Sequence, residues 1–265
     1  DTSPDTSTDT TPVATSIAMK AATACEAVTG TAGADSITAS TTALAASNSL
    51  DGKDVIDGAG GADSLTVSLG ADFGGFTTGS MTGVETLNLS TTNATGRSFD
   101  MSGVSGVETI VVDASNSAIV IDDAAELFAL ELGGQATGDM DVNWAATSTV
   151  VTGTGTDVMN VTVTGVGAAN TAVATLASNQ KDVDLDIASV ETLALTSSTA
   201  ANFVDVSGTS DATTITVAGD QDITITAVGT AVTTVDASAA DGKVSVDTTG
   251  TTATLKALTG GDAAD

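Results

Sequence analysis

Histidine and tyrosine are missing from this 265-residue chain, and cysteine and tryptophan occur once each. Each absence removes a class of function. Without histidine the chain holds no Ser-His-Asp triad, no His-ligated zinc site and no imidazole acid–base chemistry. A single cysteine, Cys25, rules out an intrachain disulfide; its Ala-rich surroundings predict a small buried thiol. Only six residues are basic, so no basic patch is available to neutralise phosphates, which argues against nucleic acid as a partner. The same shortage argues against adsorption to an anionic membrane. No apolar run approaches the ~18–20 residues that span a bilayer, so membrane insertion is not expected. The first residue is Asp and the opening "DTSPDTSTDTTP" is polar, unlike a signal peptide; the chain reads as a processed product or a piece of something longer. Aromatic residues make up 2%, so a core must come from small and β-branched side chains. Thin, regular layers suit such groups.

What is present is acid. There are 34 acidic residues and the formal net charge is −28. Only six of the acids are Glu and 28 are Asp. The short Asp carboxylate favours turns and is also a preferred ligand of hard cations. The excess therefore fits tight turns alone or turns that hold cations. Hydrophobic residues at 41% and a mean hydropathy of +0.26 argue against disorder despite the charge.

Residues 1–16 read as a polar linker containing both prolines. Residues 17–28, "IAMKAATACEAV", fit either a short helix or a strand. Beyond them, short alternating runs recur, among them "SLTVSL", "ETLNLS", "SAIVI", "DVDLDI", "TTITVA" and "DITITAV". Each is bounded by Gly, Asp, Ser or Asn, and Thr and Val fill β-favoured positions. Residues 122–132 and 168–180 are ambiguous between helix and strand. "GVETLNL", "GVETIVV" and "SVETLAL" are one motif three times, and "SFDMSGVSG" resembles "NFVDVSGTS". Val84 and Val107 are 23 residues apart, whereas Val107 and Val190 are 83 apart. Unequal stacked coils explain this pattern. The predicted fold is therefore all-β: an irregular β-solenoid or β-roll of stacked parallel strands with Ca²⁺-binding turns. β-sandwich domains are the alternative. A β-rich Ca²⁺-binding segment is expected over 17–150. A solenoid-like segment is expected over 151–265, continuing past the chain end.

The candidate cation sites follow from the nonapeptide Gly-Gly-x-Gly-x-Asp-x-U-x, in which U is a large apolar residue. Glycines allow a tight loop and close approach of the backbone to an ion. Carbonyls and the sixth-position Asp supply oxygen, and the eighth residue anchors the core. "GAGGADSLT" (58–66) matches, with Ala59 replacing the second Gly. "SLDGKDVID" (49–57) precedes it in register. "GTAGADSIT" (30–38) and "TGTGTDVMN" (152–160) are further partial units, and the terminal "GGDAAD" (260–265) starts another around Asp262. The candidate ligand set for Ca²⁺ is Asp35, Asp54, Asp63 and Asp157, with Gly58 and Gly60 in the loop. Asp51 and Asp57 stay open between ligand and turn. The run Asp182, Asp184 and Asp186 puts carboxylates on one face of a strand, most simply a solvated face. Glu85, Glu108 and Glu191 of the repeated motif end turns and cap strands. Thr-x-Thr pairs reflect β-propensity, and Trp144 and the phenylalanines are core plugs or interface anchors.

The order "VTGTAGADSITAS…SLDGKDVIDGAGGADSLTVSL…GVETLNLS" over residues 28–90 resembles the RTX-type, Caulobacter-like surface-layer proteins of Gram-negative bacteria. The likeness covers about the first third and is diffuse beyond it. It implies type I secretion, Ca²⁺-dependent folding and self-assembly into a lattice on the bacterial cell surface. It further implies anchoring to surface polysaccharide through a region outside this chain. The expectation is a non-enzymatic structural surface-layer subunit whose partner is itself. A repeat-built adhesin or biofilm matrix protein is a second reading, and the RTX tail of a secreted hydrolase a third. No H-E-x-x-H or G-x-S-x-G motif is present in the chain.

Overall fold

The alternating runs become strands with one buried row and one outward row. In "SITAST" Ile37, Ala39 and Thr41 are buried between more exposed neighbours, and in "SLTVSL" Leu65, Val67 and Leu69 are buried. The computed structural model describes residues 13–21, 25–93, 95–113, 117–133, 139–148, 150, 156–167, 183–248 and 255–261. Numbered in chain order, the odd strands form one eleven-stranded sheet. They are β1 (Ser16–Ala18), β3 (Ser36–Thr41), β5 (Ser64–Leu69), β7 (Thr86–Ser90), β9 (Thr109–Val112), β11 (Ala129–Leu132), β13 (Val158–Thr164), β15 (Thr192–Ser198), β17 (Thr214–Gly219), β19 (Thr234–Ala240) and β21 (Ala257–Thr259). The even strands return along other faces. A three-stranded sheet holds β2 (Ala27–Thr29), β4 (Val55–Asp57) and β6 (Ser80–Thr82). A seven-stranded sheet holds β8 (Arg97–Asp100), β10 (Ile119–Ala124), β12 (Met140–Trp144), β14 (Val183–Ile187), β16 (Asn202–Val206), β18 (Ile223–Val228) and β20 (Val244–Val246).

Each strand pairs in parallel with the strand two places along the chain. Parallel neighbours cannot be joined by hairpins, so each turn of chain is a coil stacked on the previous one. This is a β-solenoid, and the parallel ladders dispose of the sandwich alternative. Along the long sheet, register partners lie between 20 residues apart (Ile110 and Leu130) and 34 apart (Val161 and Leu195). The 83-residue interval between two copies of the repeated motif thus holds three coils, two of them lengthened by insertions. Residues 122–132 resolve as the end of β10, a turn and β11, with no helix. Residues 17–28 likewise hold parts of β1 and β2. Residues 168–180 lie outside the described set. Among the described residues, no helix is long and apolar enough to cross a membrane.

The core is a set of vertical aliphatic columns. Ile37, Leu65, Leu87, Ile110 and Leu130 are consecutive register partners, all fully buried. Each such side chain contributes about 1.5–3 kcal/mol by leaving water. The return face changes where β6 gives way to β8. There Phe73 bridges to Phe99 and Met81 to Val104. Phe73 packs on Phe99 at 4.8 Å and on Phe76 at 5.1 Å between ring centroids, so scarce aromatics fill the point where the cross-section changes. Cys25 contradicts the expectation of a buried thiol: it is exposed, because it lies in the connection before β2 and outside any strand's inward row.

Candidate functional site

Among the described residues, β3, β5 and β7 are entered through turns that stack along one edge of the solenoid. The residue just before the strand occupies equivalent positions in successive coils: Asp35, Asp63 and Glu85 precede β3, β5 and β7. Their side chains form a ladder. The Asp35 N–H donates to Asp63 Oδ1 at 2.7 Å, and the Asp63 N–H donates to Glu85 Oε2 at 2.7 Å. Below them, the Thr15 hydroxyl donates to Asp35 Oδ1 at 2.8 Å. The pattern returns where the Asp157 N–H donates to Glu191 Oε2 at 2.8 Å. Each carboxylate thus caps a main-chain donor one coil away, and such charge-assisted bonds are among the stronger ones.

The Asp of the glycine turn and the Glu of "GVETL" are therefore the same structural position. Sequence reasoning assigned Glu85 and Glu191 a capping role and missed this equivalence. The only signal for it was that both precede an alternating run. Glu108 holds the same position before β9, but its side chain is exposed.

Two of the predicted turns stack on one another. Residues 30–35 and 58–63 are consecutive layers, with the Gly60 N–H donating to the Thr31 carbonyl at 3.1 Å. In the first, Asp35 is 2% exposed and saturated. Thr31 donates to it from both N–H and hydroxyl, and Thr15 does the same. The Thr31 N–H is the largest influence holding the Asp35 carboxyl below its ordinary range, partly opposed by burial. In the second, Ala59 takes the place of Thr31 but adopts a left-handed φ of 71°. Its N–H turns away to Asp57 Oδ1 at 3.0 Å. Asp63 is 1% exposed and its Oδ2 is buried with no hydrogen-bond partner. A buried carboxylate oxygen without a donor is costly unless a cation or proton meets it.

Beside that oxygen is a cradle that only glycine leaves open. A Cβ on Gly58 would lie 2.7 Å from Asp63 Oδ2 and would collide with the Gly83 carbonyl oxygen. A Cβ on Gly30 would likewile meet Asp35 Oδ2 at 2.6 Å and the Gly58 carbonyl. By contrast, nothing lies within 4 Å of a Cβ on Gly60, so that glycine is not required for space.

The turn at 49–54 sits before an even strand, on a different edge from the Asp63 turn, so the two adjacent nonapeptides do not share a site. Asp54 is 3% exposed and accepts from the N–H of Glu26 and of Asp51, both at 2.8 Å. Burial raises its carboxyl above the ordinary range, opposed by those two N–H groups. Asp51 and Asp57 each accept from the residue two positions on, Lys53 and Ala59, as turn-forming Asp does. Asp157 is half-buried in the same edge position as Asp63. Asp182 and Asp262 fall outside the described residues.

Acidic residues also gather on the outer face of the seven-stranded sheet. Asp100 and Asp122, Asp141 and Asp186, and Asp184 and Asp205 are register partners on neighbouring strands. The Asp141 carboxyl is raised first by burial, then by the charges of Asp186 and Asp139.

Among the described residues no three acidic or cysteine side chains converge closely enough to hold a metal ion together. A cation beside Gly58 would have to draw on Asp63 Oδ2 and on main-chain carbonyls such as that of Gly83. Ca²⁺ accepts carbonyl oxygens in a shell of about 6–8 oxygens, so the donor types fit it. No protein-family model, curated protein or solved structure matches the chain.

Proposed function

We propose that this protein is a Ca²⁺-binding structural subunit of a bacterial surface layer, secreted and self-assembling on the cell surface. The observation that supports the reading most is the orphaned Asp63 Oδ2, buried beside a glycine cradle between two stacked turns. A cation supplies the positive partner that the main chain withholds there. The net charge of −28 supports the same reading, since Ca²⁺ offsets the mutual repulsion of the carboxylates. Asp63 would hold the ion, with main-chain carbonyls such as that of Gly83 completing the shell. Its contribution is to folding and assembly.

Titration with Ca²⁺ in a calorimeter, together with thermal melts, tests this. At free Ca²⁺ about 100-fold above the dissociation constant, one native-state site adds about 2.7 kcal/mol of stability. Excess EGTA should remove that gain and disperse any two-dimensional lattice seen by electron microscopy. Asp63→Asn should abolish the tightest site. A melt that EGTA leaves unchanged, with equal Ca²⁺ uptake by the variant, refutes the proposal.

A further inference from the structure

The solenoid is two-faced in charge. Outward positions of the seven-stranded sheet carry Asp100, Asp122, Asp141, Asp184, Asp186 and Asp205. Outward positions of the eleven-stranded sheet carry hydroxyls instead, as at Thr38, Thr66, Thr109, Thr162, Thr196 and Thr216. Among the described residues, the outward strand positions of this second face carry only two charges, Glu131 and Asp236, and no base, with Asp113 just past the end of β9. The separation arises because the chain alternates faces: the odd strands lay down rows that are neutral except at β11 and β19, and β8, β10, β12, β14 and β16 lay down the acidic ones.

We infer that the outer face of the eleven-stranded sheet is a homotypic docking surface whose occupant is a second copy of this chain. The inference rests on the self-assembly reading above and names the surface that assembly uses. Charge decides the occupant. Two molecules that each carry −28 repel wherever carboxylates face one another, and like-charge juxtaposition across an interface is strongly unfavourable. The eleven-stranded face is the broad surface on which two copies meet with the fewest facing carboxylates. Area agrees. Eleven strands at about 4.8 Å, with two or three outward residues each, give roughly 50 by 15 Å, or about 750 Å². A stable interface takes about 800 Å² from each partner.

The chemistry of the face suits a second copy as well. Each hydroxyl both donates and accepts, so two such faces satisfy one another. Relief is present too. Val158 stands 44% exposed, and a shallow recess of about 360 Å³ opens between Thr66, Asn88, Leu89, Ser90, Val111 and, at its rim, Asp113. A two-fold pairing uses the same protrusion and recess on both copies.

Sedimentation velocity on the full chain in Ca²⁺ tests the inference. The unsubstituted protein should dimerise reversibly, and more tightly as salt rises from about 0.01 M to about 0.1 M, which shortens the Debye length from about 30 Å to about 10 Å. The double variant Thr66→Glu/Thr196→Glu should weaken the dimer at least tenfold. Asn143→Glu/Thr224→Glu adds the same charge to the acidic face and should leave it unchanged. Mixing the face variant with Thr66→Lys/Thr196→Lys should restore pairing, which excludes misfolding as the cause of the loss. A protein monomeric at every salt concentration overturns the inference, as does equal weakening by both Glu variants. So does a monomer that instead co-sediments through this face with a neutral polysaccharide such as dextran. A Ca²⁺-dependent lattice that persists in the face variant overturns the face assignment but not the surface-layer reading; face dimers that never form a lattice do the reverse.

Discussion

The main-chain N–H of Asp63 is held by the carboxylate of Glu85, 2.7 Å away and one coil further along. This bond joins a glycine turn to a "GVETL" turn and makes the acidic residue before β3, β5, β7 and β15 a coil-to-coil clamp. The clamp spares a buried main-chain donor from going unpaired, and such a loss costs about 1–3 kcal/mol.

Glu85→Ala should therefore destabilise the protein by about 1–3 kcal/mol in urea unfolding. Glu85→Gln keeps an acceptor at the same reach and should lose clearly less. Equal losses from both variants would show that packing, not the bond, is what Glu85 contributes.

Ala59 sits at φ 71°, a left-handed conformation that costs a residue with a Cβ about 1–2 kcal/mol. Ala59→Gly removes that strain and gives back part of the gain through a freer unfolded chain, about 0.4–1 kcal/mol. The net expectation is stabilisation of about 0.5–1 kcal/mol, read from the denaturation midpoint. A lowered midpoint would contradict the strain assigned to this turn.

Asp141 and Asp35 should shape the pH profile in opposite senses. The Asp141 carboxyl is raised in the fold, by burial first and then by Asp186 and Asp139. The folded protein therefore binds that proton more tightly than the unfolded chain. Its stabilising contribution is full below the unfolded value of about 3.8 and is lost as pH rises through the higher folded value. Asp141→Asn should then gain about 0.5–1 kcal/mol at pH 7, the scale of a like-charge cross-strand pair, and the gain should vanish below pH ~3.8. Asp35 is lowered, chiefly by the Thr31 N–H. Its contribution is present above the unfolded value and is lost as pH falls through the lower folded one. Asp35→Asn should flatten that acid limb. Stability curves from pH 2 to 8 that do not diverge in these directions would exclude the assignments.

Phe99 is fully buried where the return face changes, against Phe73 at 4.8 Å. Phe99→Ala should cost about 3–5 kcal/mol, and Phe99→Leu less, because Leu refills part of the volume. Chemical denaturation of both variants measures the difference.

The strands, their inward rows and the all-β class were legible in the chain, because a period of two and β-branched residues are local properties that need no partner. Ile37 and Leu65 announce the core row, and "DVDLDI" announces an outward row of carboxylates, before any coil is closed. The capping function of Glu85 and Glu191 was also legible from their place before an alternating run. What the sequence by itself could not determine is which turns meet. Asp54 and Asp63 are nine residues apart in adjacent units, yet they lie on different edges; Asp63 and Asp35, 28 residues apart, form consecutive layers. Coil length decides this, and it varies with insertions that carry no pattern of their own. The orphaned oxygen of Asp63 follows from one φ angle at Ala59. The division into a neutral and an acidic face follows from alternate strands returning to alternate sheets. Both are consequences of stacking, where a residue's neighbours come from the coils above and below.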